Sequence, residues 1–257
     1  MARTTAWYRK IAPIYDWLCG PLYVRPRRYA VQMLELTPGA TVLDLGCGTG
    51  LSLPGLSKAV GPSGQVLALD ATDAMLQRAR RRCERQGLHN VHFLAADLLA
   101  STVATQLPAA DAILCSYVLA ITPQWRAFFA QAQSLQRPGC RFVVVDTRPL
   151  QGAWRWLNPL LVPFANWSGA GDITRPTWQL GTPASLRSYW GGFVFVASVA
   201  EFSASPARSL SPPTDAVRND CPPPSSCCAA HAQKSCACPT RRDSVAPHPL
   251  DRPYGGK

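Results

Sequence analysis

Short apolar segments alternate with longer amphipathic stretches between Thr41 and about Val199. Six of the apolar segments predict β-strands, at residues 41–45, 65–69, 91–94, 112–115, 141–145 and 192–196. Strands that are apolar throughout are buried on both faces of a sheet, and the crossovers between parallel strands are right-handed. The pattern therefore predicts an α/β fold with a doubly wound, mostly parallel sheet and helices on both faces.

Three helices are predicted between these strands, over residues 51–60, from the N-cap Asp73 to Gly87, and over residues 125–135. The second is the most regular, with arginines on one face and apolar residues on the other, namely Met75, Leu76, Ala79 and Cys83. A later stretch, Trp154 to Trp167, is rich in aromatic residues and leucine. Two interpretations stay open for it, a loop that covers a pocket and a segment that contacts a membrane interface.

The first predicted strand ends in a glycine-rich loop with the pattern Asp44-x-Gly46-x-Gly48-x-Gly50. Parallel sheets bind ligands at the carboxyl ends of their strands, where glycines let the backbone approach a ligand closely. Asp70 ends the second strand and can accept the hydroxyls of a ribose. Asp97 follows the third strand and can receive the amino group of adenine, with Leu98 supplying a backbone N–H. The three acids at successive strand ends predict an adenosine-containing ligand.

A dinucleotide is the main competing ligand for such a loop. Its G-x-G-x-x-G pattern would require a glycine at position 51 or 53, where this chain has Leu51 and Leu53. Asp44 would also repel a pyrophosphate, whereas it suits a cationic amino-acid group. These residues favour S-adenosylmethionine (SAM) over a nicotinamide or flavin nucleotide.

The same segments resemble the motifs of class I SAM-dependent methyltransferases. Residues 42–50 resemble the first motif, residues 70–76 the ribose-binding motif and residues 96–98 the adenine-binding motif. Residues 12–16, with the A-x-x-Y-D pattern, resemble the ubiquinone/menaquinone and phospholipid (phosphatidylethanolamine) methyltransferase branch, as do residues 116–119 and 191–197. The resemblance implies a Rossmann-like sheet whose last strand is antiparallel. It also implies a set of cofactor-binding residues: Tyr15, Asp44, Gly46, Cys47, Gly48, Gly50, Asp70, Ala71, Met75, Asp97, Leu98 and Ser116.

Two departures from that family lie towards the C-terminus. Members normally have a longer helix and a sixth strand before the final one, and residues 176–183 leave little room for both. The chain also continues through a segment rich in Pro, Ser and Cys, which cannot bury enough apolar surface to fold. We therefore expect a helical lid segment at 1–40, a SAM-binding methyltransferase domain at 41–200 and a disordered tail at 201–257. The tail cysteines lack the paired spacing of structural zinc sites, so no metal is predicted.

The chain is basic, with a formal net charge of +11. Arginines crowd the first 28 residues and the helix that follows Asp73. Such surfaces attract phosphate groups of lipids or nucleic acids, or simply keep a protein soluble, and both interpretations stay open. No secretory signal and no apolar run of about 20 residues is visible. We expect a cytoplasmic protein with peripheral membrane contact as an option.

Methyl transfer from a sulfonium is an in-line displacement, which requires alignment of the reactants and exclusion of water. Tyr117, just beyond the fourth strand, is the best candidate for a catalytic residue on the acceptor side, although it could equally pack against the adenosine or a lid. Asp146 and Arg148 are the next candidates. His89 and His92 flank the wrong end of the third strand to act as a base.

The predicted acceptor is a small amphipathic or lipid-linked molecule, with an amine head group or a quinone precursor as examples. Residues 115–118 lack the N/D-P-P-Y/F motif of methylases that act on base amino groups, which disfavours nucleic acid. One alternative function is that of a SAM-binding accessory protein that has lost catalysis. An RNA methyltransferase is a less favoured alternative. The sequence does not indicate an oligomeric state.

Overall fold

The sheet has seven strands in the order β3-β2-β1-β4-β5-β7-β6. The computed structural model describes residues 23–100, 103–168, 171–180 and 183–199. The strands are β1 (Thr41–Leu45), β2 (Gln65–Asp70), β3 (Val91–Ala95), β4 (Ala112–Ser116), β5 (Arg141–Thr147), β6 (Pro183–Tyr189) and β7 (Val194–Val199). The predictions for Tyr15, for the rest of the first 22 residues and for the 201–257 tail lie outside the described residues.

Strand order and direction agree with the predicted doubly wound sheet. β1 pairs in parallel with β2 and β4, β2 with β3, and β4 with β5. β7 runs antiparallel to both of its neighbours, β5 and β6. The strand order reverses between β1 and β4, so the carboxyl ends of these two strands flank the crevice where such sheets bind ligands.

The sequence-based prediction missed β6. It allowed little room for a further strand before the last one, and this expectation is wrong. Residues 185–188 of β6 are exposed at the edge of the sheet, so the segment carries no alternation of buried and exposed positions that would signal a strand. Its main chain instead pairs with β7 through the turn at Gly191 and Gly192, which both have positive φ.

The described helices include the three that were predicted between strands, and residues 158–168, which were interpreted as a covering loop or a membrane-contact segment, form a further helix. The helices are α1 (residues 23–33), α2 (Leu53–Val60), α3 (Asp73–Arg85), the four-residue α4 (Val103–Gln106), α5 (Trp125–Ser134) and α6 (Asn158–Ser168), with 3-10 turns at Gly152–Leu157 and Thr177–Gln179. The N-cap of α3 is Thr72, so the predicted cap at Asp73 is wrong by one residue. Among the described residues no helix is long and apolar enough to cross a membrane.

Two apolar layers cover the two faces of the sheet. In β1, Val42 belongs to one layer, and Leu43 and Leu45 belong to the other, because successive side chains of a strand point to opposite faces. The first layer includes residues of α1, α2 and α3, namely Ala30, Leu56 and Leu76. The second includes residues of α5, namely Phe128 and Phe129. Burial on both faces fixes β1, β4 and β5, and with them the loops at their carboxyl ends, whereas β3 is a partly exposed edge strand.

Candidate cofactor site

A cleft opens at the carboxyl ends of β1, β2, β3 and β4. It is lined by ten of the residues that the sequence predicts as functional, namely Gly46, Cys47, Gly48, Asp70, Ala71, Met75, Asp97, Leu98, Ser116 and Tyr117. Asp44 lies at the end of β1 and is buried, and Gly50 packs against Leu53 and Ala79, so these two do not line the cleft. The roles of all these residues stay predictions.

The glycine loop is attached to the neighbouring strand by its own main chain. The N–H groups of Gly46 and Cys47 donate hydrogen bonds to the carbonyl of Leu69, at 2.7 and 2.9 Å. Gly46 has φ +74°, and a Cβ at this position would overlap the Val118 side chain. Gly48 also has positive φ, but nothing lies within 4 Å of the Cβ position, so it faces open space. Gly46 therefore serves the packing of the loop, whereas Gly48 leaves room for a ligand.

Asp70 holds the glycine loop and the start of α3 together. Its Oδ2 accepts a hydrogen bond from the Gly48 N–H and its Oδ1 accepts one from the Thr72 N–H, both at 2.8 Å. Burial raises the pKa of Asp70, while these backbone hydrogen bonds act in the opposite direction. Each carboxylate oxygen retains a further lone pair, so the group can still accept two hydroxyls such as those of a ribose.

Asp97 and Leu98 occupy the corresponding position after β3. Asp97 Oδ1 accepts a hydrogen bond from the Leu99 N–H at 3.0 Å, which fixes the carboxyl in a local turn. Leu98 is buried and lines the cleft, as does Met75 on α3. Apolar side chains beside one fixed acceptor suit a planar heterocycle that carries an amino group.

Asp44 is a buried carboxyl with unmet hydrogen-bonding capacity. Only 1% of it is exposed, and neither carboxyl oxygen has a hydrogen-bond partner within the described part of the chain. Burial raises its pKa to about 7; the Arg27 charge lowers it and the Asp70 charge raises it further. Buried polar groups in proteins are nearly always hydrogen-bonded, so this pair of acceptors suits a ligand that brings a cationic donor.

Tyr117 lines the cleft directly after β4. Its backbone has φ +58°, which is uncommon for an aromatic residue, and its N–H donates to the Val145 carbonyl at 2.7 Å. The Tyr117 ring lies 4.5 Å from the Tyr23 ring, measured between centroids. Strained backbone of this kind persists where the surrounding structure holds it, often at a binding site.

Asp146 and Arg148, the next candidates for catalysis, do not line the cleft. Asp146 is fully buried and accepts hydrogen bonds from the N–H groups of Ala120 and Thr147, at 3.0 and 2.8 Å. Arg148 donates to the Gly192 carbonyl and the Ser188 hydroxyl, at 3.0 and 2.8 Å. Both residues hold loops in place, so a catalytic role for either is not supported. His89 and His92 are exposed and also lie away from the cleft.

One charged lining residue escaped the sequence-based prediction. Arg27, on α1, reaches the cleft next to Tyr117, with its guanidinium carbon 4.7 Å from the ring centroid. In the sequence it is one of several arginines near the N-terminus and nothing distinguishes it from Arg25 or Arg28. The helical spacing of Tyr23 and Arg27 was the available signal, because residues four apart share one face of a helix.

Comparison with known proteins agrees with this geometry. Residues 36–168 match the model of a family described as "Methyltransferase domain". A demethylmenaquinone methyltransferase of Lactococcus lactis is 33% identical over 116 residues, which are 45% of this chain and 45% of that protein. A demethylmenaquinone methyltransferase of Listeria welshimeri is 26% identical over 157 residues, 58% of this chain and 64% of that protein.

A solved structure supports the fold alone. An O-methyltransferase family protein of Burkholderia thailandensis superimposes with a TM-score of 0.52 at 18% identity, over 70% of this chain and 58% of that one. The matches to the two demethylmenaquinone methyltransferases span less than two thirds of either relative. The family match, residues 36–168, contains β1 to β5 and the loops at their carboxyl ends.

Proposed function

Because the chain belongs to the methyltransferase-domain family, we propose that it transfers a methyl group from SAM to a small amphipathic acceptor. The acceptor would be a quinone precursor or a molecule with an amine head group. The demethylmenaquinone methyltransferases among its relatives support the first of these. The observation that carries the proposal is the set of three acids, Asp44, Asp70 and Asp97, around one glycine loop.

The residues present fit SAM as the cofactor. Asp70 would accept the ribose hydroxyls and Asp97 with Leu98 would hold the adenine. The unpartnered oxygens of Asp44 would accept hydrogen bonds from the α-ammonium group, which no pyrophosphate-containing cofactor has. Bound there, the cofactor supplies an activated methyl group on a sulfonium.

The chain's own part in the reaction is to align the acceptor and to exclude water. Tyr117 closes one side of the cleft at the end of β4 and is 9% exposed. We propose that it contacts the acceptor. An unprotonated amine needs no base, whereas a phenol or carbon acid would need one, and the carboxylates among the described lining residues are those of Asp70 and Asp97.

We further propose that the chain meets its acceptor at a membrane surface. The 3-10 turn and α6 expose five large apolar side chains, here called the α6 apolar surface: Trp154, Trp156, Leu160, Phe164 and Trp167, at 57, 71, 74, 61 and 80% exposure. Arg155 is exposed among them, and residues 148–171 contain no acid. Tryptophans with a cation and without acids suit an anionic lipid interface.

The α6 apolar surface is connected to the cleft by a short piece of chain. Two residues lie between Ser168 and Gly171, so the Cα atoms of these two positions are at most about 11 Å apart. The next residue, Asp172, donates its N–H to the Ala120 carbonyl at 2.9 Å, and Ile121 beside it lines the cleft. Docking through this surface would bring the cleft wall close to the lipid.

Methyl transfer is tested with isotope-labelled SAM and an extract of lipids and quinones. The unmodified chain should label a component of the extract, and Asp70→Ala should lose the label because SAM binding weakens by about 1.5–3 kcal/mol for each charge-assisted hydrogen bond. Arg81→Gln, on the exposed face of α3, is the matched control and should behave as the unmodified chain. SAM binding without transfer into any component would instead favour the accessory-protein alternative.

The membrane proposal has a separate test, co-sedimentation with vesicles of mixed anionic and neutral lipid. The triple variant Trp154→Ser, Trp156→Ser and Trp167→Ser should lose most of the binding. Arg81→Gln with Arg85→Gln removes two exposed charges from α3 and should keep most of it. The opposite result would assign the contact to α3 and reject the α6 apolar surface.

A further inference from the structure

Arg27 lies inside a small aromatic cluster at the edge of the cleft. Tyr23 and Arg27 are four residues apart on α1 and so share one face of the helix. The guanidinium carbon lies 4.7 Å from the Tyr117 ring centroid and 5.8 Å from that of Tyr23. The two rings restrict the position of the guanidinium, which lines the cleft between them.

The guanidinium has hydrogen-bonding capacity that its surroundings do not use. Its Nη1 is buried and has no hydrogen-bond partner within the described part of the chain. A buried charged donor without a partner is costly, and arginine cannot lose its charge to relieve that cost. The side chain is thus held in place, charged and short of an acceptor.

Asp44 is the other group of the site whose hydrogen-bonding capacity is not used, and its charge is opposite to that of Arg27. The Arg27 charge lowers the pKa of Asp44. Neither oxygen of Asp44 has a hydrogen-bond partner in the described residues, so the two groups do not pair with each other. Arg27 and Asp44 thus carry opposite charges, and each has a buried polar atom without a hydrogen-bond partner in the described residues. Such a pair matches a ligand that carries both charges. An α-amino acid, with an ammonium for Asp44 and a carboxylate for Arg27, is such a ligand.

We propose that Arg27 binds an oxyanion of the bound reactants, with the carboxylate of the cofactor's amino-acid part as the first source. A deprotonated oxygen of the methyl acceptor is the second source of the same chemistry. This inference rests on the proposed function, because it takes SAM as the ligand of the cleft. It adds a residue that the glycine-loop motif does not contain.

Arg27 and Arg28 provide a matched pair of variants on one helix. Arg28 is exposed, so Arg28→Gln removes the same charge without touching the cleft. The probes are S-adenosylhomocysteine, which has the amino-acid part, and 5′-methylthioadenosine, which shares the adenosine and the sulfur but lacks that part. Calorimetry with the full chain gives the affinity of each variant for each probe, and thermal unfolding reports on folding.

Arg27→Gln should weaken S-adenosylhomocysteine binding about 10- to 100-fold, the worth of a charge-assisted hydrogen bond, and leave 5′-methylthioadenosine unchanged. Arg28→Gln should leave both unchanged. Arg27→Lys keeps the charge and should recover part of the lost affinity. This pattern assigns the carboxylate of the cofactor as the ligand of Arg27.

A second pattern of results would assign a deprotonated oxygen of the methyl acceptor as the ligand of Arg27. Both probes then bind Arg27→Gln normally, while the KM for a demethylated naphthoquinol rises without a matching fall in kcat. Equal weakening of both probes, or no change in any of these quantities, overturns the inference, since Arg27 would then only support the Tyr117 ring or do nothing at the site. If the unmodified chain binds neither probe, the proposed function itself is rejected.

Discussion

Two helices of this chain, α3 and α6, differ in composition and burial. The helix with many charged residues contributes more to the core than the helix with none. α3 contains five arginines, yet it buries Met75, Leu76, Ala79 and Cys83 against the sheet. α6 contains no charged residue, and of its described side chains only Ala165 is buried. The helix with more large apolar side chains therefore contributes less to the core.

The difference separates two parts of the molecule. Residues 41–147, from β1 to β5, form the cofactor half, in which α2, α3 and α5 each bury an apolar face. Residues 148–199 form the C-terminal part, in which β7 is buried but the apolar side chains of α6 are exposed. Exposed apolar area of this kind marks an interaction surface more often than a defect of packing. We infer that α6, unlike the helices of the cofactor half, is built to meet a partner.

The largest effect is expected from equivalent truncations in the two helices. Leu76 on α3 is 1% exposed, and Leu160 on α6 is 74% exposed. Leu76→Ala should lower the free energy of unfolding by about 2–5 kcal/mol, because it leaves a cavity in a packed core. Leu160→Ala should change it by less than about 0.5 kcal/mol. Urea denaturation of the two variants measures both values.

Equal losses in these two variants would break the comparison between the helices. They would mean that α6 is covered in solution, because only a buried leucine can lose that much stability on truncation. A measurement at several protein concentrations would then distinguish a second copy of the chain from an intramolecular cover.

The glycine loop offers the next test, within the cofactor half alone. Gly46 and Gly48 both have positive φ, but only at Gly46 would a Cβ overlap a neighbour, the Val118 side chain. Gly46→Ala should cost about 2–4 kcal/mol of stability, from overpacking and backbone strain together, and Gly48→Ala about 1–2 kcal/mol from strain alone. A larger stability loss at Gly48 than at Gly46 would contradict the assignment of packing to one and ligand space to the other.

Most of the cofactor half could be predicted from the sequence. The bounds of β1 and the four buried residues of α3 agree with the structure, because periodic burial leaves a periodic pattern. Asp70 and Asp97, which follow β2 and β3, could be placed at one cleft because parallel strands bring their carboxyl ends to one edge. In this half the local pattern and the tertiary environment agree.

The rest could not be predicted, for two physical reasons. β6 is an exposed edge strand whose stability comes from main-chain pairing with β7, and such pairing leaves no trace in side-chain hydrophobicity. Arg27 meets Tyr117 through tertiary contact between α1 and the end of β4. Tertiary contacts between distant segments are not visible in any single window of sequence.

The dependence of stability on pH should also belong to the cofactor half. Burial raises the pKa of both Asp44 and Asp146 to about 7, with Arg27 and Asp70 acting on the first and Arg175 on the second. Between about pH 4 and pH 7 the folded chain keeps protons that the unfolded chain has lost, so stability falls as the pH rises. The expected slope is up to about 1.4 kcal/mol per pH unit for each group, and it vanishes above pH 7.

Asp44→Asn isolates one of these two groups. The variant keeps the shape of the side chain and cannot ionise, so its stability should fall less steeply than that of the unmodified chain between pH 4 and pH 7. The C-terminal part, residues 148–199, contains one acid, Asp172. Chemical denaturation across that pH range measures the slope, and an unchanged slope in Asp44→Asn would show that its carboxyl does not titrate there.

The smallest change in stability is expected for a variant of the α6 apolar surface, which tests the C-terminal part. The rings of Phe164 and Trp167 lie 6.2 Å apart, but 61% and 80% of these residues are exposed. Trp167→Ser removes little buried area, so we expect a change in the free energy of unfolding within about 0.5 kcal/mol in the absence of lipid. The same variant should weaken vesicle binding clearly. Loss of stability without loss of vesicle binding would mean that the tryptophan supports the fold, and the assignment of α6 to a lipid partner would have to be withdrawn.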